Sequence, residues 1–206
     1  MTAEDRKSHW ERVYATKAET EVSWYQADPA PSLEALSRTR ADRRSAIIDV
    51  GGGTSRLVDR LVDNGYEDVT VLDVSPAAIA AAKARLGEAG WKVHWLVADA
   101  TEWTPERPYD LWHDRAAFHF LVDPADRAAY VERLRKALRP GGHAILATFA
   151  PDGPEKCSGL PVARYDGRGL VAALGPAFGL VESWRRDHVT PSGAVQRFQY
   201  SVFRRL

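Results

Sequence analysis

Cysteine is nearly absent from this chain: Cys157 is the only one in 206 residues. An internal disulfide is excluded, and no Cys/His set has the spacing of a zinc site, so no metal is expected. Charge of one prevailing sign is also lacking, because 28 Lys and Arg balance 28 Asp and Glu. Without an overall positive field a nucleic acid is not an expected partner. No apolar run approaches the roughly 18–20 residues that cross a bilayer; the longest, Ala46–Val50 and His143–Phe149, have strand length. No Gly-x-x-x-x-Gly-Lys phosphate loop, internal repeat or low-complexity tract occurs. The start, MTAEDRKSHWERVY, carries charge where a signal peptide has its apolar core. The expectation is therefore a soluble, cytoplasmic protein without membrane contact.

What is present fits one domain, residues 1–206, with an appended helical arm at 1–44 and an α/β core at 45–206. The arm is rich in charge and carries Trp10, Tyr14 and Trp24 before the proline-punctuated stretch Asp28-Pro29-Ala30-Pro31. From Ser45 onward, short β-rich runs alternate with helical patterns, the order that builds a parallel sheet with helices on both faces. Strands are predicted at Ala46–Val50, Val69–Asp73, Val93–Ala98, Tyr109–Asp114 and His143–Phe149. Helices are predicted at Ser55–Asp63, from Ser75-Pro76 to Leu86, from Asp123-Pro124 to Leu138, and over Arg168–Leu174. Residues 150–165 read as a long Pro/Gly loop, and 180–203 as a closing antiparallel hairpin.

Asp49-Val50-Gly51-Gly52-Gly53-Thr54-Ser55 joins a strand to a helix, a context in which missing Cβ atoms let backbone N–H groups approach a ligand. A dinucleotide fingerprint needs a third glycine where Arg56 stands, which disfavours an NAD oxidoreductase. Asp49 before the glycines suits a cationic ligand. Asp73, followed by Val74, ends the second strand where a carboxylate accepts both hydroxyls of a ribose; Asp99 could accept from an adenine amine while the Ala100 backbone meets a ring nitrogen. The plainer reading of each is a turn glycine or a helix-capping aspartate, but their convergence on one rim of the sheet points to a nucleoside.

The pattern Asp49-x-Gly51-x-Gly53, with Ser55 in place of a further glycine, resembles the first motif of class I S-adenosylmethionine (SAM)-dependent methyltransferases. The turn Leu138-Arg139-Pro140-Gly141-Gly142 and the closing hairpin extend that resemblance over roughly residues 45–206. It implies a Rossmann-like, seven-stranded, mostly parallel sheet with an antiparallel last strand. It also implies SAM as cofactor, S-adenosylhomocysteine as product, and contacts from Gly51, Gly52 and Gly53 to the methionine part, Asp73 to the ribose, and Asp99 with Ala100 to the adenine.

Tyr109–Leu121 places His113, Asp114 and Arg115 at the end of the fourth strand, beside the expected methyl group. Asp114-Arg115-Ala116-Ala117 is similar to a segment of thiopurine S-methyltransferases, as is the loop containing Gly153-Pro154-Glu155-Lys156, Leu160-Pro161-Val162 and Tyr165. Trp10, Tyr14 and Trp24 resemble the aromatic arm that covers SAM in that group and in the halide/thiol and tellurite methyltransferases. The insert Cys157-Ser158-Gly159 departs from the thiopurine pattern. The resemblance implies a small acceptor with a soft nucleophile, a thiol or chalcogen, whose anion Arg115 attracts while Trp24 and Phe118 wall the pocket. For a hydroxyl or amine acceptor, His113, His119 and Asp114 are the candidate bases. Bland alternatives stand beside these: core histidines, an Arg115–Asp114 bridge, an inert Cys157 thiol, and Trp10/Tyr14 as a packing stripe. Protein lysine N-methylation and non-catalytic SAM binding are the alternative functions, and a monomer or homodimer fits the sequence equally.

Overall fold

A parallel strand is covered on both faces, which is why the central runs here are almost unbroken in apolar residues. The computed structural model describes all 206 residues. Helices α1 (Ala3–Thr16) and α2 (Ala30–Ser37) precede β1 (Ile47–Val50), α3 (Leu57–Asp63), β2 (Val69–Asp73), α4 (Pro76–Leu86) and β3 (Val93–Val97). Then come β4 (Tyr109–Arg115), α5 (Pro124–Ala137) and β5 (Leu138–Phe149). A small ribbon, β6 (Lys156–Cys157) with β7 (Leu160–Pro161), and α6 (Gly167–Leu174) lead to β8 (Phe178–Val189) and β9 (Val195–Arg205).

The seven-stranded sheet has the order β3-β2-β1-β4-β5-β9-β8. Strands β1 to β5 pair in parallel, while β9 runs antiparallel to its neighbours β5 and β8. This is the expected Rossmann-like sheet. Its strand order reverses between β1 and β4, and a crevice opens beyond the carboxyl ends of strands at such a switch point. The period-two alternation of side chains divides the core. Ile47, Val71, Leu111 and Ile145 face one way, onto Leu36 of α2 and Leu57 and Leu61 of α3. Their neighbours Ile48, Leu72, Trp112 and Leu146 face the other, onto Tyr130 and Leu134 of α5 and Leu170 of α6. No helix is long and apolar enough to cross a membrane.

Three boundaries differ from the expectation. Helix α2, assigned to the arm, is part of the core layer, with Ala35 and Leu36 buried. Helix α3 starts at Leu57, because the chain first makes a tight turn in which Ser55 N donates to Gly52 O at 2.7 Å. Strand β5 starts at Leu138, paired with Tyr109, and then bulges through Arg139–Gly142 before His143 pairs with Leu111. Asp110 holds that bulge: its carboxylate accepts from Arg139 Nη1 at 2.6 Å and from the Ala46 backbone at 2.8 Å.

Gly142 has no room for a side chain, since a Cβ there would lie 2.9 Å from the carbonyl oxygens of Arg139 and Asp110. Gly142→Ala should therefore lower stability by about 1–3 kcal/mol, the cost of overpacking against backbone. A urea melt checks this: a lower midpoint at unchanged slope is expected, and a midpoint equal to wild type would contradict the tight bulge.

Candidate functional site

Asp49 and Asp73 end β1 and β2, and Asp99 follows β3, so the parallel register sets all of them on one rim of the sheet. Helix α1 crosses above that rim. Between them lies a cleft lined mostly by hydrophobic residues with a few polar groups, the usual make-up of a small-molecule site. Gly51, Asp73, Val74, Asp99 and Ala100 line its floor, and Trp10, Tyr14 and Trp24 its roof. A polar annex opens beside it over the glycine turn, bounded by Asp49, Gly51, Gly52, Ser32 and His113. Arg115 lines both spaces.

The glycine turn is built without side-chain room. Gly51 has φ +67°, and a Cβ on it would fall 2.5 Å from Ala117 Cβ. At Gly52 it would fall 2.8 Å from both Asp49 Oδ2 and Val71 Cγ1, and at Gly53 (φ +50°) 2.5 Å from Tyr14 Oη. Gly53 itself lines neither space; it makes room for Tyr14 against Asp73. Beneath the turn, Asp49 is 2% exposed, and its Oδ2 has no hydrogen-bond partner. A buried carboxylate oxygen left bare over a glycine cradle is complementary to a cationic group.

Asp73 is also buried, and burial pushes its carboxyl up to about 7, against the pull of N–H groups from Ser75, Gly53 and Val74. Burial likewise works to raise Asp99, but the Arg6 guanidinium and Thr101 together hold it below the usual carboxylate range. Arg6 is a site residue that motif reading missed. It donates through Nε to Asp99 at 2.7 Å, through Nη1 to Asp126 at 2.8 Å and through Nη2 to Thr101 at 2.8 Å. The signal was the fourfold spacing of Arg6, Trp10 and Tyr14, which sets all three on one helix face. Glu11 adds a second tie, accepting from Ser75 Oγ at 2.6 Å and from the Ala77 backbone. The arm's aromatics form one cluster, with Trp10 5.6 Å from Trp24 and 4.9 Å from Phe120, centroid to centroid. They pack together and roof the cleft at once.

On the acceptor side the expected bases are corrected. His113 is buried with both ring nitrogens engaged, Nδ1 donating to Asp49 at 2.7 Å and Nε2 accepting from Ser32 at 2.9 Å. Asp114 is wholly buried and accepts from Tyr130 Oη and the backbone of Ala117 and Phe118; burial raises it to about 6. It thus caps the turn after β4, and the Arg115–Asp114 bridge, the plainer alternative for Arg115, does not form. His119 is buried too, pushed down to about 3 by burial and by the charge of Arg115, and its ring stacks edge-on with Phe120. His119 Nδ1 accepts from the Phe149 backbone at 3.3 Å while its Nε2 has no partner, and none of the three lines the main cleft. Phe118 also turns into the core, and Phe120 takes the wall position expected of it. Cys157 lines the cleft, with burial raising its thiol.

Residues 47–142 match the family model described as a methyltransferase domain. That match spans just under half of the chain and begins at β1, so it includes the glycine turn and the strand-end aspartates Asp49, Asp73 and Asp99. The chain is 33% identical over 180 residues to trans-aconitate 2-methyltransferase of Methylobacterium radiotolerans, covering 75% of this chain and 65% of that protein. Malonyl-[acyl-carrier protein] O-methyltransferase of a Paenibacillus species is 30% identical over 125 residues, covering 58% and 44%. The chain thus spans between two fifths and two thirds of these relatives' lengths. Among solved structures, the N-methyltransferase NodS of Bradyrhizobium japonicum, in complex with S-adenosylhomocysteine, superposes with TM-score 0.71 at 17% identity, covering 95% and 97%.

A ribose held by Asp73 would make cofactor binding depend on pH, because that carboxyl is raised to about 7. A ribose hydroxyl donates best to the ionised carboxylate, so affinity for S-adenosylhomocysteine should rise about tenfold from pH 6 to pH 8, with Asp73 ionising near 7. In the free protein the sign is opposite: stability from this group is full below its ordinary value of 3.8 and lost as pH rises through about 7. Calorimetry on wild type and Asp73→Asn checks both points. A slope that persists in the variant would place the titrating group elsewhere.

Proposed function

We propose that this chain methylates a small acceptor that needs no enzyme base, with a thiol or chalcogen anion as the favoured nucleophile. SAM, bound with its nucleoside on Asp73 and Asp99 and its amino-acid end over Gly51 and Gly52, supplies a methyl group on a cationic sulfur. The protein's own part is alignment and exclusion of water. Tyr14 and Trp10 form the roof, Trp24 and Phe120 wall the reaction space, and Arg115 borders it.

The observation that carries this reading is that none of the three bases expected on the acceptor side, His113, Asp114 and His119, lines the main cleft, and all are buried. An ammonium or an alcohol would have to lose a proton with none of these three placed to take it, and Asp49 and Asp73 are assigned to the donor, which counts against protein lysine methylation. A thiolate or chalcogenide arrives already ionised, and aromatic walls suit its soft, weakly hydrated atom. A carboxylate is the second reading, favoured by the same lack of a base and by the acceptors named for the trans-aconitate and malonyl relatives.

The test is incubation with methyl-labelled SAM and a panel of thiols, chalcogen oxyanions, carboxylates, phenols and amines. Labelled thioether or methyl-chalcogen products are expected. Their rate should follow ionisation of the acceptor itself, shifting with the pKa of each thiol offered. A rate profile set by one fixed pKa across acceptors would reveal an enzyme base and overturn the reading; label on amines alone would do the same.

A further inference from the structure

Arg115 ends β4 with its charge only partly answered. Nη1 donates to the Trp24 carbonyl at 3.0 Å, and the guanidinium lies over the Phe198 ring, 4.7 Å from its centroid. Nε and Nη2 are buried and have no partner. No carboxylate of the chain answers them. Asp114, next in sequence, is turned onto Tyr130, Ala117 and Phe118. The groups that feel the Arg115 charge are the uncharged Cys157, His119 and His188, and burial holds both of these histidines low.

The identity of the bare pair matters. Nε and Nη2 are the parallel donors of the guanidinium's side, which meet both oxygens of a carboxylate at once. The same chain shows this fork filled: Arg85 donates from Nε to Asp59 Oδ1 at 2.9 Å and from Nη2 to Oδ2 at 2.7 Å. Leaving such donors bare and buried is costly, so the arrangement is one that a ligand completes. In the polar annex that Arg115 borders, Asp49 Oδ2 is bare as well. Arg115 and Asp49 thus border one space, each with polar atoms of opposite sign left unpartnered, a pairing that matches the two charges of an α-amino acid.

We infer that the Nε/Nη2 fork of Arg115 is a carboxylate clamp, reading a planar two-oxygen anion rather than negative charge in general. This rests on the assignment of the cleft to SAM. The carboxylate has two sources, the amino-acid end of the donor or a carboxylate borne by the acceptor, and binding measurements separate them.

The experiment is calorimetry on wild type, Arg115→Lys and Arg115→Gln. The probes are S-adenosylhomocysteine, 5′-methylthioadenosine (the same nucleoside thioether without the amino-acid end), and succinate added to protein saturated with S-adenosylhomocysteine. Both variants should lose tenfold or more in affinity for one carboxylate probe and bind methylthioadenosine as wild type does. Loss of S-adenosylhomocysteine binding assigns the clamp to the donor. Loss of succinate binding alone assigns it to the acceptor. Full affinity for both probes in the variants overturns the clamp, as does complete rescue by lysine, because a point charge would then suffice. Parallel weakening of methylthioadenosine also overturns it, by revealing a general loss of the cleft. If wild type binds neither nucleoside, it is the donor assignment that fails, and the clamp stands or falls on succinate.

Discussion

A buried relay of three side chains holds the cleft in shape. Ser32 on α2 donates to His113 on β4, and His113 donates to Asp49 at the end of β1. The relay ties one helix to the two strands between which the sheet order reverses, and it lies under the glycine turn. It also uses one Asp49 oxygen and leaves the other bare. Imidazole and hydroxyl are each satisfied internally, as buried polar groups generally are, while the carboxylate keeps one oxygen without a partner. His113 thereby holds Asp49 in place. Everything the floor of the site does follows from where this relay puts Asp49.

The roof is set by a second polar system. Arg6, 7% exposed, binds Asp99, Asp126 and Thr101 together, so helix α1 is fastened to the segment that follows β3 and to α5. A buried charge so surrounded is costly to strip of its partners, by about 3–5 kcal/mol for a broken pair. Fastening α1 brings Trp10 and Tyr14 over the floor, and Tyr14 reaches Gly53 because that residue has no side chain. Helix and floor are therefore complementary in detail, and an aromatic stripe that also reads as simple packing lines the cleft because of where Arg6 anchors it.

The sheet was legible in the sequence because its strands are short β-branched runs closed by aspartates or glycines, and parallel order follows from their alternation with helices. Asp73 and Asp99 were legible for the same reason, since a strand end fixes which rim a residue occupies. The directions of the residues after β4 were not legible. Asp114 and Arg115 are adjacent and oppositely charged, yet alternation along a strand sends one into the α5 layer and the other toward the cleft. Whether a histidine is buried and bonded depends on partners 81 and 64 residues away, Ser32 and Asp49 for His113. Pairings at that distance leave no local pattern. The β5 bulge was missed because Pro140-Gly141-Gly142 reads as a break, whereas Asp110 keeps the strand paired on both sides of it.

The central claim is that the floor of aspartates and glycines and the roof of α1 together enclose an S-adenosyl nucleoside. A crystal structure of the complex with S-adenosylhomocysteine tests it most directly. The account predicts the ribose hydroxyls on Asp73, the adenine beside Asp99 and Ala100, and α1 still fastened through Arg6. A ligand found outside this cleft, or a cleft that takes a dinucleotide while refusing S-adenosylhomocysteine, would contradict it.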